Sequence, residues 1–118
     1  MKYVFILVAK SGTEPAFGTD EWKEYAAEYG RFNEDAAKAG VLQGGDPIQP
    51  PVSSTTVRVA GEGVKIVNAP FAELAEQIIG YYVFECADLN DATYWAAKIP
   101  VAARGIGAVE IRPVVDFS

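Results

Sequence analysis

Two strongly apolar runs, residues 3–9 and residues 80–86, constrain the fold of this chain more than any other feature. Both are rich in β-branched and aromatic residues, which is typical of strands that other elements cover. Each run is followed by a segment with helical periodicity and then by a shorter strand, at residues 41–43 and 108–112. Two strand–helix–strand units make a ferredoxin-like α+β sheet with both helices on one face. The apolar runs are expected to be its central strands.

The first helix is predicted from large apolar residues that recur at spacings of three and four positions. This face consists of Trp22, Tyr25, Tyr29, Phe32 and Ala36. Thr19 or Asp20 can cap the helix start, because either side chain accepts the free amide hydrogens of the first turn. Gly40 is expected to end it as a left-handed cap. Ordinary core is the favoured interpretation of the aromatic stripe, and a pocket between helix and sheet is the alternative.

The remaining segments are predicted from their turn residues. A second helix begins at Asp88 and is expected to end at Pro100, followed by a loop over residues 101–107. Residues 44–51 are interpreted as an irregular connection, although Gly44 and Gly45 would let the backbone approach a ligand. Residues 55–59 and 64–67 flank a glycine-rich turn, which predicts a β-hairpin inserted into the ferredoxin-like order.

The sheet face opposite the helices is also expected to be apolar. Along residues 80–86, strand alternation puts Tyr81, Val83 and Glu85 on one face and the intervening residues on the other. A monomer would leave largely Tyr, Val, Phe and Ile side chains of the second face in water. The sequence therefore predicts a homodimer whose interface exceeds roughly 1,200 Å² of buried area.

Length and charge limit the classes of protein to which the chain can belong. Its 118 residues make one domain over residues 1–118. With 16 acidic and 10 basic residues, the net charge is −6, which argues against a nucleic-acid groove or binding to an anionic membrane. No run approaches the roughly 20 apolar residues of a membrane span. The single cysteine, Cys86, cannot form an internal disulfide, so a cytoplasmic location is expected.

The absence of histidine is the hardest constraint on mechanism. Histidine is the side chain whose unperturbed pKa suits proton transfer near neutrality, so a Ser-His-Asp triad and the usual zinc sites are excluded. A general base would have to be a carboxylate, Tyr, Lys or Cys with a shifted pKa. The phosphate-binding glycine motifs are absent as well. No cofactor and no metal are expected.

Several short segments resemble the DGPF branch of the YCII-related proteins. The segment Asn68-Ala69-Pro70-Phe71-Ala72-Glu73 resembles the hallmark of that branch, with Asn68 and Ala69 in place of its Asp-Gly. Residues 1–7, 55–58, 95–100 and 109–113 match in the same order. The resemblance implies that two sheets pair face to face in a dimeric α+β barrel. It implies no settled reaction, and the His–Asp pair ascribed to the neighbouring YCII branch cannot form here.

The sequence points to a ligand site where the hallmark segment meets the strand of residues 80–86. Its candidates are Glu76, Gln77, Tyr81 and Arg112. Arg112 would hold a carboxylate-like group by two hydrogen bonds, and Tyr81 would orient it. Alternatively, Arg112 and Glu85 form a structural ion pair across the dimer or lie at a sheet edge in water. The loop carboxylates Glu73 and Glu76 would then face solvent rather than bind a cation.

Four residues of the hallmark region are assigned structural roles. They are Asn68, Pro70, Phe71 and Gly80. Pro70 fixes a backbone angle ahead of the loop, and Phe71 is expected to bury its ring as an anchor.

Two functions remain open. In the first, a dimeric barrel binds a small organic molecule, with weak lyase or isomerase activity from carboxylate and tyrosine chemistry. In the second, the protein is a non-catalytic accessory of a partner such as an extracytoplasmic-function sigma factor, as the family resemblance implies. A closed, polar-lined cavity would favour the first function. An exposed apolar groove outside the dimer interface would favour the second.

Overall fold

The computed structural model describes all residues 1–118 and has a mixed α+β architecture. The strands are β1 (Lys2–Lys10), β2 (Leu42–Pro47), β3 (Thr56–Ala60), β4 (Gly63–Val67), β5 (Glu76–Glu85) and β6 (Gly107–Pro113). The helices are α1 (Asp20–Lys38), α2 (Leu89–Ala96) and α3 (Pro100–Ala103), with a short 3₁₀ turn at Pro51–Ser53. None of the helices combines the length and apolarity needed to cross a membrane.

The main sheet confirms the predicted ferredoxin-like arrangement. Its strand order is β2-β5-β1-β6, and every neighbouring pair is antiparallel. The two apolar runs therefore form the central strands. In the register, Phe5 on β1 lies opposite Tyr82 on β5 and Ile111 on β6, so these side chains share one face of the sheet.

The core lies between this face and the helices. Alternate residues of β1, from Tyr3 to Ala9, are buried, while Val4, Ile6 and Val8 on the opposite face are half-buried. Phe5 and Phe84 are fully buried, with ring centroids 4.8 Å apart. Rings from both long helices pack on Phe84: its centroid is 5.9 Å from that of Phe32 and 6.0 Å from that of Trp95. One aromatic cluster thus joins α1, α2 and the central strands.

The ends of α1 follow the predicted capping chemistry. Thr19 is the N-cap, and its hydroxyl accepts a hydrogen bond of 3.1 Å from the backbone amide of Trp22. The helix ends at Lys38, and Gly40 follows with a φ of 75°. Only glycine adopts that backbone angle without steric cost, so the cap prediction is confirmed.

Two predicted boundaries are wrong, for different reasons. Pro100 does not simply stop the second helix: α2 ends at Ala96, and Pro100 opens the separate helix α3. Proline is well suited to the first position of a helix, where its missing amide hydrogen would be unpaired anyway. Likewise, β2 continues through Gly44 and Asp46 to Pro47, across an irregularity after Leu42. The start of α3 at Pro100 thus follows from local chemistry, whereas β2 extends through residues 44–47 because they pair with β5.

Strand β5 begins earlier than predicted, at Glu76 rather than Gly80. Its first residues pair with the end of β1, where Glu76 lies opposite Lys10. Gly80 is therefore inside the strand. A methyl group there would lie 3.0 Å from the carbonyl oxygen of Asp46 and 3.2 Å from Cα of Pro47. The lack of a side chain at Gly80 lets β2 approach β5 this closely.

Residues 48–75 stand apart from this domain, and we call them the arm. The arm contains the 3₁₀ turn, the predicted hairpin β3–β4 and the hallmark segment. In the hairpin, Val57 lies opposite Ile66 and Val59 opposite Val64, which gives one wholly apolar face. These four side chains are 59% to 73% exposed. The hairpin strands pair only with each other, so one chain offers this face no cover.

Candidate functional site

A cavity of about 300 Å³ lies between α1 and the β2–β5 edge of the sheet. Its size is at the lower end of the range for small-molecule sites. The residues that line it come from β1, the following loop, α1, β2 and β5: Leu7, Glu14, Trp22, Tyr25, Ala26, Tyr29, Asn33, Gly45, Asp46, Pro47, Ile79, Gly80, Tyr81 and Tyr82. Five of these 14 residues are aromatic, so rings form a large part of the wall.

The aromatic stripe of α1 supplies much of this wall. Trp22, Tyr25 and Tyr29 line the cavity, whereas Phe32 lies one turn further along and packs in the core. Both interpretations of the stripe are therefore partly right. The interpretation as ordinary core holds for Phe32, and the pocket alternative holds for the first three residues. The sequence signal was present, because tyrosine hydroxyls in a helix face that meets a sheet need hydrogen-bond partners.

Hydrogen bonds hold the cavity tyrosines in place. The Tyr25 hydroxyl donates to Glu14 Oε2 at 2.8 Å, and it lies 3.4 Å from the Tyr29 hydroxyl. On the sheet side, the Tyr82 hydroxyl donates to Oδ1 of Asn33 at 2.6 Å. No buried side-chain nitrogen or oxygen is left without a partner. The polar groups of the site are thus oriented before any ligand arrives.

These tyrosines remain neutral phenols over the physiological pH range. Burial raises the pKa of Tyr25 above its ordinary value, and its hydrogen bonds with Tyr29 and Glu14 raise it further. Burial likewise raises the pKa of Tyr29 and Tyr82. A neutral phenol can donate or accept a hydrogen bond, but it is not a base. The ionisable groups that can accept a proton here are therefore the carboxylates of Glu14 and Asp46.

Asp46 enters the site because β2 extends beyond its predicted end. It lies opposite Tyr81 in the sheet register, and the Tyr81 hydroxyl is 3.4 Å from Asp46 Oδ2. Gly45, with a φ of 147°, allows the β2 backbone to lie against Tyr82 where a side chain would not fit. Of the two glycines that indicated close backbone approach, Gly45 mediates the approach of one strand to another, whereas a side chain at Gly44 would meet nothing within 4 Å.

The four predicted ligand residues are dispersed within one chain. Tyr81 lines the cavity, and Gln77 lines a second groove. Glu76 lies opposite Lys10 and Arg112 opposite Val4, so these two are roughly 20 Å apart along β1 at about 3.4 Å per residue. They do not converge, because the register places them near opposite ends of the sheet.

Glu85 and Arg112 do not pair with each other within one chain. The Glu85 carboxylate accepts a hydrogen bond from the amino terminus of Met1 at 2.8 Å. Arg112 donates instead through Nε to Glu110 Oε2 at 2.7 Å. Both pairs are exposed. Glu85 and Arg112 lie near the same end of the sheet, on either side of β1, and each pairs with a nearer group.

The anchor role predicted for Phe71 is wrong within this chain, since its side chain is 66% exposed. The arm does not fold back onto the domain, so the ring has no core to enter. Pro70 is half-buried, and the adjacent carbonyl of Ala69 accepts a hydrogen bond of 2.6 Å from the Thr56 hydroxyl. Asn68 Oδ1 is 3.4 Å from the Thr55 hydroxyl. The hallmark segment is thus tied to the base of the hairpin.

A second, wider groove of about 610 Å³ lies along the arm. The 3₁₀ turn, the hairpin base and the hallmark segment form its walls, with Gln77 and Ile78 at one end. Phe71 and Val52 are among its exposed apolar residues. No three acidic or cysteine side chains form a metal-ligating cluster here or elsewhere. This groove is more open and less ordered by hydrogen bonds than the cavity on α1.

The chain is similar to known proteins over its whole length. An uncharacterised protein of Rhizobium meliloti (strain 1021) is 25% identical over 117 residues, which cover 99% of this chain and 94% of that protein. A solved structure, 5-chloro-2-hydroxyhydroquinone dehydrochlorinase (TftG) from Burkholderia phenoliruptrix AC1100 in complex with 2,5-dihydroxybenzoquinone, matches with a TM-score of 0.56. It is 15% identical and covers 98% of this chain and 94% of its own, a likeness that shows a shared fold.

The description of the matching family agrees with the resemblance found in the sequence. The YCII-related domain matches residues 1–118. The chain therefore belongs to the YCII-related domain family.

Proposed function

We propose that the cavity on α1 binds a small organic molecule. The observation that carries this proposal is the ring-lined wall itself, in which the hydroxyls of Tyr25 and Tyr82 are already fixed by hydrogen bonds of 2.8 and 2.6 Å. Mostly apolar walls with a few oriented polar groups are typical of small-molecule sites. The predicted candidates Glu76, Gln77 and Arg112 would contribute only if a second copy brought them to the cavity, and Tyr81 contributes directly.

The chemistry that fits the site is a weak proton-transfer reaction of the lyase or isomerase type. Glu14 or Asp46 would take a proton from a carbon next to a carbonyl group, and the neutral Tyr29 hydroxyl would donate a hydrogen bond to the developing oxyanion. In an isomerisation the carboxyl group would return the proton to another carbon, and in an elimination a leaving group would depart with its bonding electrons. The dehydrochlorinase of similar fold is named for an elimination, which is a lyase-type reaction. Without histidine, a slow reaction or binding alone is expected.

We also propose that the working unit is a homodimer of the DGPF branch in the cytoplasm. The open sheet face carries Val4, Ile6 and Val83, and the hairpin adds its apolar face. An isolated two-stranded hairpin is marginally stable in water, so its strands need cover. A second copy related by twofold symmetry would cover both surfaces at once. The buried free thiol of Cys86 suits a reducing compartment.

Ligand binding is tested by filling the cavity. Ala26 lines it, whereas the neighbouring Ala27 is exposed on α1. A set of neutral, cationic and anionic small molecules, including 2,5-dihydroxybenzoquinone, is titrated into the protein and followed by NMR. Compounds that bind the wild type should lose binding in Ala26→Phe and keep it in Ala27→Phe. Equal binding to both variants would place the ligand site elsewhere.

Dimerisation is tested by two double substitutions in the hairpin, one on each face. Val57 and Ile66 lie opposite each other on the apolar face, and Arg58 and Lys65 lie opposite each other on the polar face. Sedimentation should show a dimer that Val57→Asn with Ile66→Asn weakens at least about tenfold, which corresponds to 1.4 kcal/mol. The control pair, Arg58→Asn with Lys65→Asn, should change the dissociation constant much less. A stable wild-type monomer at low micromolar concentration would contradict the proposal.

One observation favours the accessory function, namely the exposed apolar groove along the arm. A partner protein such as an extracytoplasmic-function sigma factor would insert an apolar segment beside Phe71. The two functions predict opposite behaviour of one variant pair. If the accessory function holds, Phe71→Ala abolishes partner binding and Ala26→Phe leaves it unchanged. If the cavity is the functional site, only Ala26→Phe has an effect on ligand binding.

A further inference from the structure

We propose that the cavity on α1 selects organic cations, such as alkylated ammonium compounds, over neutral and anionic molecules of the same shape. This inference rests on the cavity being the ligand site proposed above. It adds the charge of the ligand, which neither the fold nor the family relation specifies.

The first argument is the charge of the wall. Glu14 and Asp46 are the only charged residues that line the cavity, and both are acidic. No lysine or arginine is present to neutralise an anionic ligand. The candidate for binding a carboxylate, Arg112, lies elsewhere on the sheet and pairs with Glu110. A carboxylate or phosphate entering here would be repelled, and its loss of hydration would not be compensated.

The second argument is the chemistry of the rings. Trp22, Tyr25, Tyr29, Tyr81 and Tyr82 line the cavity. The face of an aromatic ring carries partial negative charge, so rings attract a cation placed within about 6 Å of their centroids. Several rings around one space form the kind of cage that recognises quaternary ammonium groups. Because burial keeps Tyr25, Tyr29 and Tyr82 protonated, the phenols hold this arrangement without becoming charged themselves.

The third argument is a cation that already packs on one of these rings. Cζ of Arg104 lies 5.0 Å from the centroid of the Tyr25 ring. Its guanidinium group makes two hydrogen bonds to Glu28, at 2.8 and 2.6 Å, and it does not line the cavity. Its charge is therefore balanced outside the cavity. No cation lies over the rings of Trp22, Tyr29 and Tyr82 in this chain.

Glu14 is placed to complete the site. It is half-buried and is fixed by the hydrogen bond from the Tyr25 hydroxyl, which leaves its other carboxylate oxygen free. A quaternary ammonium group has no hydrogen to donate, so it needs nearby negative charge and ring faces rather than directed hydrogen bonds. The cavity offers both and lacks any competing cation.

The test uses three soluble probes of nearly equal shape and different charge. Choline is the cation, 3,3-dimethylbutan-1-ol is its neutral carbon analogue, and 3,3-dimethylbutanoate is the anion. Binding to the full chain is measured by NMR titration. Choline should bind about tenfold more tightly than the alcohol, in line with cation–π interactions in desolvated sites. The carboxylate should show no binding at tens of millimolar.

Matched variants separate local charge from net charge. Glu14→Gln should weaken choline binding several-fold and leave the alcohol unchanged. Glu21→Gln removes one carboxylate from an exposed position on the same helix, outside the cavity, and should affect neither probe. Trp22→Leu should also weaken choline more than the alcohol, because it removes a ring while retaining an apolar wall. Far-ultraviolet circular dichroism confirms that each variant is folded.

The outcomes distinguish this inference from the proposed function. If all three probes bind equally and Ala26→Phe abolishes them, the cavity is a ligand site and the selection for cations is wrong. Tighter binding of the carboxylate, or no binding of choline at tens of millimolar, would also overturn the inference. The broader set of compounds would then decide alone whether the cavity binds a small molecule.

Discussion

The domain and the arm contain similar apolar side chains, but the chain buries only those of the domain. Phe5 and Phe84 are fully buried among other rings, whereas Phe71 and the hairpin valines are largely exposed. The difference lies in what each element faces. Strands β1 and β5 have two helices over them, while β3 and β4 pair only with each other. Apolar patterning therefore indicates that a face will be covered, and the topology determines whether this chain can do so.

The largest expected difference between the two regions is in the loss of stability when one phenylalanine of each is replaced by alanine. Phe84→Ala should destabilise the protein by about 3–5 kcal/mol, because it leaves a cavity in the aromatic cluster. Phe71→Ala makes the same chemical change at an exposed ring and should cost less than about 1 kcal/mol. Urea unfolding of both variants at equal protein concentration measures the free energies. Similar losses in both would break the comparison and mean that a second copy buries Phe71.

The tight packing of the domain and the loose packing of the arm can also be compared by adding a methyl group at one glycine of each. Gly80→Ala places a methyl group 3.0 Å from a backbone oxygen of β2, so it should destabilise the domain by about 1–3 kcal/mol. Gly63→Ala in the hairpin meets its nearest atom at 3.7 Å, an ordinary contact, and should change stability by less than about 0.5 kcal/mol. Thermal unfolding followed by circular dichroism compares the two. An equal loss would show that the hairpin is packed as tightly as the sheet.

A smaller difference in stability loss is expected when one hydroxyl group is removed from each region. The two hydroxyls make equally short hydrogen bonds. Tyr82→Phe removes the 2.6 Å bond to Asn33 from the domain and should cost about 1 kcal/mol. Thr56→Val removes the 2.6 Å bond to Ala69 from the arm. Water can replace that bond and valine favours strands, so the loss should be below about 0.5 kcal/mol. If Thr56→Val were the more damaging, the hairpin base would be more rigid than its exposure indicates.

The smallest expected effect near neutral pH is the pH dependence that tyrosine ionisation gives to the free energy of unfolding. Burial raises the pKa of Tyr25, Tyr29 and Tyr82 above the value of about 10 in an unfolded chain. The folded state therefore binds these protons more tightly. Its resulting stability is complete below about pH 10 and is lost as the pH rises further.

Urea midpoints should therefore be insensitive to these groups up to about pH 9.5 and fall at higher pH. The fall should be shallower in Tyr82→Phe than in the wild type. The arm has no tyrosine, so it contributes no phenol group to this pH dependence. A midpoint that stayed constant to about pH 11 would mean that the three hydroxyls are well solvated.

Much of the domain could be predicted because its elements carry local signals. The apolar runs, the aromatic stripe of α1, its Thr19 cap and Gly40 each specify structure within a few residues. The errors came where a long-range partner decided the outcome. Glu76 is a strand residue because Lys10 lies opposite it, and Asp46 is one because it pairs with Tyr81. No local pattern contains that information.

The candidate site was predicted less well than the fold, for a related reason. Tyr81 lines the cavity on α1 rather than a site at the hallmark segment, and Glu76 and Arg112 do not approach it. Their predicted convergence assumed that strand ends meet, whereas the antiparallel register places them at opposite ends of the sheet. Glu14 and Tyr29 were not selected as ligand residues, because their importance depends on how far α1 stands from β5. Spacing along the helix does not encode that distance.

The sequence by itself determined the elements, their alternation and the presence of more apolar surface than one small domain can bury. These properties follow from side-chain periodicity and capping, which act over a few residues. The tertiary structure decided where the chain leaves space and which surfaces stay uncovered. Glu14, Trp22 and Tyr82 form one cavity because α1 crosses the β2–β5 edge, where Gly45 and Gly80 bring the two strands close together. Such convergence depends on contacts between residues far apart in the chain, and only packing in three dimensions establishes them.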